Sequence, residues 1–305
     1  MDLNLFSIKV FLKVAETMSF TQAANELLLS QPAVSLQVQK IEQIFHTPLF
    51  IRKKTGRIAL TEAGKCFMGH AEELLRLQRT VFRDMGRYSP ALRREVRIGA
   101  CCIAGEQLLP LGLRAFRETH SSAKLMLTIT KCEEVIKGLL AGDLDVGVTG
   151  LEPKSRFLHK KQLMRVALVW FESGKTQPAT GTTDLKGLQN NRIILREKGS
   201  GARAEFESFL ARNKMNLQQF SVVSESESNE AIKNLVEDGY GVSLLPEFMV
   251  RKDIDLGTLA EIHLKEGNPI QTFYLTYRKQ DPPSVMVKEL ITFLSQYPIG
   301  KSVAA

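Results

Sequence analysis

Residues 19–42 read SFTQAANELLLSQPAVSLQVQKIE, two short helical patterns with almost nothing between them. The second begins after Ser30, a helix-capping residue, with Pro32 in the first turn, where a missing N–H costs nothing. Val34, Val38, Ile41 and Phe45 follow at i, i+4, i+7 and i+11, the spacing of one buried helical stripe. The opposite face carries Gln31, Pro32, Ser35, Leu36 and Gln39. A merely solvated face would more typically carry Lys and Glu. Amides and hydroxyls on a low, uncharged surface suit a helix that enters the DNA major groove and addresses base edges.

Working outward, Ile8, Phe11, Val14 and Ala15 give the preceding helix its buried stripe. Thr21–Leu29 reads as a short second helix, capped by Ser19 or Thr21, with Ala23, Ala24 and Leu27 facing inward. Downstream, PLFIRKKTGRIALTEAG (48–64) reads as two short strands, Phe50–Arg52 and Arg57–Leu60, around a KKTG turn closed by Gly56. Arg52, Lys53, Lys54 and Arg57 crowd the tip of this hairpin. Alone it would be a solvated turn; beside a three-helix unit with a polar face it reads as a phosphate or minor-groove clamp. Residues 1–60 are therefore expected to form a winged helix-turn-helix.

Thr61 and Glu62 cap the next pattern, which runs without proline to Pro90. Phe67, Ala71, Leu74, Gln78, Val81, Met85 and Tyr88 recur in alternating steps of four and three, a heptad seam interrupted once by Gln78. Leu75 and Phe82 widen the apolar stripe. We expect a linker and dimerisation helix over 61–91, with Phe67, Ala71, Leu74, Val81 and Met85 in the seam. The alternative is a helix packed on the large domain. Two joined readers gain affinity through effective concentration.

The chain has 305 residues, suited to more than one core. No apolar run approaches the length of a spanning helix, and the N-terminus lacks the basic start, apolar segment and cleavage site of a leader. A cytoplasmic protein without a membrane partner is expected. Net charge is +8, and residues 1–89 hold 12 Lys+Arg against 8 Asp+Glu. The other 216 residues carry the same excess, so positive charge is more than twice as dense in the first part, where a polyanion would bind. Cys66, Cys101, Cys102 and Cys132 form no CxxC pair and no zinc spacing with histidine, so no metal or other cofactor is expected. Residues 92–297 alternate strands and helices, an α/β pattern.

Taken together, these residues resemble the LysR-type transcriptional regulators. The resemblance rests on Phe11, Val14-Ala15-Glu16, Ser19-Phe20-Thr21, Ala23-Ala24, Leu27, Ser30-Gln31-Pro32-Ala33, Ser35, Gln37, Ile41-Glu42, Pro48-Leu49-Phe50, Arg52 and Leu60-Thr61-Glu62-Ala63-Gly64. It continues through VRIGA, EQLLP, GDLDVGVTG, ILREKGSGAR and NEAIKNLVEDGYGVSLLP. The resemblance implies an effector-binding domain over 92–297 made of two Rossmann-like lobes, of the type II periplasmic-binding-protein kind. Lobe I would comprise 92–162 with 268–297, and lobe II 163–267. It also implies dimers assembling to homotetramers, contact with RNA polymerase, and promoter DNA touched by Thr21, Gln31, Pro32, Ser35, Leu36 and Arg52. One departure stands out. Where relatives often carry Arg or Lys, this chain has Leu36, which can offer a thymine methyl only apolar contact.

In open α/β folds, ligands sit at the carboxyl ends of strands against helix N-termini. That rule picks out Cys101, Cys102 and Ile103 after strand Val96–Ala100, before a helix expected near Gly105. It also picks out Thr149 after strand Asp145–Val148, Ser200, Gly201 and Ala202 before a helix from about Ala202, and Ser228 and Asn229 opening another. Thr149 could equally be a satisfied strand-end hydroxyl, and GSG ordinary turn chemistry. Relatives often carry hydroxyls where this chain has Cys101, Cys102 and Ile103; thiols are weak donors. A less polar or smaller effector, or a thiol that senses oxidants, would fit. No GxSxG, HExxH, Walker A or GxGxxG motif appears, so an enzyme is not expected. A solute-binding protein would leave the first 88 residues unexplained.

Overall fold

The computed structural model describes residues 3–52, 58–85, 95–175, 182–279 and 284–299. It divides into two compact units, Met1–Leu92 and Arg93–Ala305.

In the first unit, α1 (Leu5–Thr17), α2 (Phe20–Leu27) and α3 (Gln31–Phe45) each start on a side-chain cap. Asn4 Oδ1 accepts the Phe6 N–H at 2.7 Å, Ser19 Oγ that of Gln22 at 3.2 Å, and Ser30 Oγ that of Ala33 at 3.3 Å. Ser19, rather than Thr21, is thus the cap of α2, which starts at Phe20 and ends at Leu27. Ile8, Phe11, Val14, Ala23, Val34, Val38 and Ile41 form the core. Phe11 lies at its centre, fully buried, with ring centroids 5.2 Å from Phe50 and 4.8 Å from Phe67. Phe45, expected to end the core stripe of α3, is 47 % exposed and only rests its ring on Phe67 at 5.5 Å.

The chain leaves α3 under the control of Glu42, whose Oε1 accepts the N–H groups of Leu49 (2.7 Å) and Phe50 (3.3 Å). β1 (Phe50–Arg52) and β2 (Ile58–Leu60) then pair antiparallel, with Phe50 opposite Leu60. Lys53, Lys54 and Arg57 lie outside the described residues. For Arg52 only the backbone, the end of β1, is described.

Next comes α4 (Glu62–Met85). Thr61 Oγ1 accepts the Gly64 N–H at 2.9 Å and donates to the Pro48 carbonyl at 2.8 Å, so one hydroxyl caps the helix and ties it back to the preceding loop. Gly64 is required by contact: a Cβ there would sit 2.1 Å from the Leu49 carbonyl oxygen. This approach presses the first half of α4 onto the three-helix core and corrects the expected seam. Phe67 (8 % exposed) and Ala71 (fully buried) belong to the core of their own unit, as does Leu75. The outward apolar stripe begins a turn later, at Leu74, Leu77, Val81, Phe82 and Met85, all exposed.

In the second unit, parallel β3 (Glu95–Ala100), β4 (Lys124–Ile129) and β5 (Val146–Thr149) form the first lobe's sheet in the order β4-β3-β5. A helical stretch opens at Cys102, passes through a π-helical turn at Ala104–Leu108 and continues as α5 (Leu109–Thr119); α6 (Cys132–Ala141) follows β4. The helix thus starts three residues before the expected Gly105, and β5 one residue after the expected Asp145.

β6 (Leu158–Ser173) and β11 (Ile270–Arg278) run antiparallel. Their paired part, Leu158–Ala167 with Ile270–Arg278, extends the first sheet through β11 next to β5. From Leu168 onward, β6 turns to new partners, β9 (Ser243–Pro246) and β10 (Leu259–Ile262). Leu168 N–H donates to Pro269 O at 2.8 Å, which marks where the two lobes exchange chain.

The second lobe adds parallel β7 (Arg192–Arg196) and β8 (Ser221–Ser226), joined to the rest by an Ile193–Val242 bridge. Short α7 (Leu185–Leu188), α8 (Gly201–Arg212), α9 (Asn229–Glu237) and α10 (Glu247–Asp255) cover it, and α11 (Val285–Gln296) returns to the first lobe. Trp170, Phe206 and Phe220 centre one core cluster, and Phe116 and Phe273 another.

Candidate functional site

Two places collect the residues singled out above. On α3, Gln31, Pro32, Leu36 and Gln39 are exposed, Leu36 at 51 %. Ser35 is half-buried and its Oγ accepts from Gln31 Nε2 at 2.8 Å, so the two groups hold each other in register. Thr21 is exposed in the first turn of α2. Behind this face, Gln37 Oε1 accepts the Ser7 hydroxyl at 2.7 Å, fixing the rotation of α3 against α1.

The second place is a cavity of about 330 Å³ in the second unit. Cys101, Cys102 and Ile103 reach it from the end of β3, and Ile129, Thr130, Lys131 and Cys132 from the end of β4. Arg196 ends β7 and Glu197, Gly199, Ser200, Gly201 and Ala202 follow it, Glu227 follows β8, and Gln271 stands on β11. Cys101 is a helix N-cap: its carbonyl accepts the Gly105 N–H at 2.8 Å and its own N–H donates to Val148 O at 3.0 Å. Ser200 caps α8, accepting the Arg203 N–H at 3.3 Å. The first N–H groups of both helices have no partner within their helix, which makes each N-terminus electropositive.

Charges in this lining are paired. Arg196, only 5 % exposed, places Nε 2.8 Å and Nη2 3.1 Å from the two oxygens of Glu197. Its Nη1 donates to Asn229 Oδ1. Lys131 of the first lobe meets Glu227 of the second at 2.7 Å. That contact raises the pKa of Lys131 and lowers that of Glu227. Gln271 is 1 % exposed, and neither its Oε1 nor its Nε2 has a hydrogen-bond partner among the described residues. Its amide fits because Gly150 and Gly201 flank it; a Cβ on either would lie 2.3 or 2.4 Å from Nε2.

The thiols differ sharply. The neighbouring Cys132 thiol holds Cys101 down to about 7, helped by the Ala104 and Gly150 N–H groups and the Arg196 charge, against burial. Cys132 is pushed up by its nearness to Cys101 and by burial. Burial and Glu106 push Cys102 up to about 11.

Three expected effector residues are not in the lining. Thr149 is fully buried and spends its hydroxyl on Leu151 O at 2.8 Å, the strand-end alternative. Ser228 caps α9, accepting the Ala231 N–H at 3.2 Å. Asn229 is buried behind the wall between Arg196 and Cys102, with Nδ2 3.6 Å from Cys102 Sγ. Conversely, Thr130–Cys132, Arg196, Glu197 and Glu227 were missed. They end or follow β4, β7 and β8, parallel strands whose ends the same rule covers. Gln271 lies on an antiparallel crossover strand, where no local rule points to it.

These features define a class: a winged helix-turn-helix reader joined to a two-lobed α/β domain with a ligand-sized cleft. Residues 5–65 match the bacterial regulatory helix-turn-helix family of lysR type, and residues 90–298 match the LysR substrate binding domain. The chain therefore belongs to the LysR family of transcriptional regulators. It is 29 % identical to the HTH-type transcriptional activator CmpR of Synechocystis sp., over 99 % of this chain and 98 % of that protein. It is 28 % identical to the regulator CbbR of Rhodospirillum rubrum, over 95 % of each. Among solved structures, full-length CbnR complexed with its target DNA shares the fold with a TM-score of 0.63 at 23 % identity, covering 96 % of this chain and 99 % of that one. The regulatory domain of Synechocystis CcmR, in complex with 2-PG, gives 0.59 at 21 % identity, over 66 % and 95 %. No helix among the described residues is long and apolar enough to cross a membrane.

Proposed function

We propose that α3 reads the promoter major groove through Gln31, Pro32, Ser35, Leu36 and Gln39, with Thr21 beside it, while Arg52, Lys53, Lys54 and Arg57 hold flanking phosphates. The observation that carries this reading is the exposed, uncharged face of α3, on a helix whose rotation is locked by the Ser7–Gln37 bond. Two copies join through Leu74, Val81 and Met85, with Leu77 and Phe82, on the outward stripe of α4. Dimers pair into a homotetramer in the cytoplasm, contact RNA polymerase, and perform no catalysis. A small effector in the cleft shifts the balance between lobe arrangements and thereby promoter output.

The lining suits a small polar effector carrying at most one net charge. Its two cations, Arg196 and Lys131, are each already paired with a lining carboxylate. What is left to bind the ligand is neutral: the Gln271 amide, whose two polar atoms have no partner among the described residues, Thr130, the helix N–H groups at Cys102 and Gly201, and apolar contact from Ile103, Ile129 and Ala202. In a thermal-shift screen, such a ligand at about 100 times its Kd should add about 2.7 kcal/mol of stability. Stabilisation by dianions alone would contradict the proposed effector class.

Operator reading is tested by gel shift on the upstream intergenic DNA. Leu36→Ala should weaken binding by about 1 kcal/mol where the operator presents a thymine methyl, the worth of about one buried methyl contact, and flatten preference at that base pair. Unchanged affinity and preference would remove Leu36 from the reading set. Failure of the parent protein to bind any promoter fragment at low salt would remove the whole reading.

A further inference from the structure

We propose that Cys101 and Cys132 are a hydroperoxide-reactive thiol pair in the wall of the cleft, which closes to a disulfide within the first lobe. Both are free, both line the same cavity, and both stand where a parallel strand gives way to a helix. Cys101 is the N-cap of the helix opening at Cys102, and Cys132 is the first residue of α6. β3 and β4 are neighbours with Ala100 opposite Ile129, so the two helix starts lie side by side. Cys101 is anchored through both its backbone groups, so its side chain is presented from a fixed frame.

The Ala104 and Gly150 N–H groups, the Cys132 thiol and the Arg196 guanidinium all favour the charged form of the Cys101 sulfur. This is the setting that favours a thiolate. Cys102, one residue on, is more exposed, yet its setting favours the inert thiol. The cleft supplies a route for a small oxidant to a sulfur otherwise out of solvent.

The chemistry balances with one peroxide and two thiols. The Cys101 thiolate attacks one peroxide oxygen, the O–O bond breaks, and hydroxide (or alkoxide) leaves to take up a proton. Cys101 is now the sulfenic acid. The Cys132 sulfur attacks it, the S–O bond breaks, and water leaves with the Cys132 proton. Two electrons pass from two sulfurs to the peroxide.

The disulfide would act on the cleft directly. A disulfide carries no thiolate charge, so the Ala104 and Gly150 N–H groups and Arg196 would lose the charge they favour. The bond would also draw on the first turn of α6, next to Lys131, whose ammonium reaches across to Glu227 of the other lobe.

The test uses the reduced full-length protein, treated with hydrogen peroxide, alkylated, digested with trypsin and read by mass spectrometry. Cleavage after Arg97, Arg114, Lys131 and Lys137 places Cys101 and Cys132 on separate peptides, while Cys101 and Cys102 share one. The expected product is a crosslink between those two peptides, reversed by reductant and still formed in Cys102→Ser. Cys132→Ala, the variant that spares the cap, should stop at a sulfenic acid on Cys101 that dimedone traps. Without peroxide, Cys101 should alkylate at least about tenfold faster than the more exposed Cys102. Oxidation confined to Cys66 or Cys102, a bridge within the shared peptide, or faster alkylation of Cys102 would each overturn the proposal. None of these readouts involves DNA, so their outcome is separable from that of the operator tests.

Discussion

Arg196→Met is expected to destabilise the effector domain by about 3–5 kcal/mol, the cost of removing one partner from a buried ion pair. The guanidinium is 5 % exposed and its three nitrogens serve Glu197 twice and Asn229 once. Removing it leaves the Glu197 carboxylate, itself only 17 % exposed, without its cation. It also frees Asn229, which joins the second lobe to Cys102 of the first. For a domain of about 200 residues this loss lowers Tm by about 10 °C. Calorimetry of the full chain should show the shift in one transition only. Arg196→Lys should recover little, because an ammonium cannot span both carboxylate oxygens. In Arg196→Met with Glu197→Gln, much of the loss should return. A loss below about 1 kcal/mol in the single variant would mean that the pair is not the keystone described here.

Phe11→Ala should have a comparable effect on the other unit, about 3–5 kcal/mol. The ring is fully buried among Phe50 and Phe67, so it joins α1 to β1 and to α4 at once. A unit of about 90 residues holds roughly 5–10 kcal/mol in total, so most of its margin is gone. Operator binding at 37 °C should therefore fall sharply although Phe11 touches none of the reading face. The transition of the effector domain should stay in place. Retained operator affinity with an unshifted first transition would show that the core around Phe11 relaxes to fill the space.

The bounds and rotation of α3 were legible because every determinant is local. Ser30, Pro32 and the spacing of Val34, Val38 and Ile41 set the helix and its rotation, and the outward residues follow by elimination. Phe45 broke the pattern only at the helix end, where the core has run out. The heptad over 61–88 was misread for a different reason. Phe67 and Ala71 are apolar at the right spacing for a partner helix, but the same residues serve equally for packing on their own unit. The contact of Gly64 with the Leu49 carbonyl decides between the two, and that contact joins segments from different elements.

The cleft was half legible. The strand-end rule points to Cys101–Ile103 and Ser200–Ala202, and equally to Lys131 and Arg196 at the ends of β4 and β7. Thr149, Ser228 and Asn229 also stand at strand or helix ends but lie outside this lining, with side chains bonded to Leu151, Ala231 and Arg196.

By itself, then, the sequence determined this protein's class: a winged helix-turn-helix and an α/β effector domain, both written in spacings of a few residues. Only the tertiary structure decided which groups face one another across the cleft. Lys131 meets Glu227, Gln271 lies between Gly150 and Gly201, and Cys101 meets Cys132, pairs separated by many residues along the chain. Periodicity records which side of an element is buried, whereas a partner is chosen by the packing of elements that no local pattern encodes.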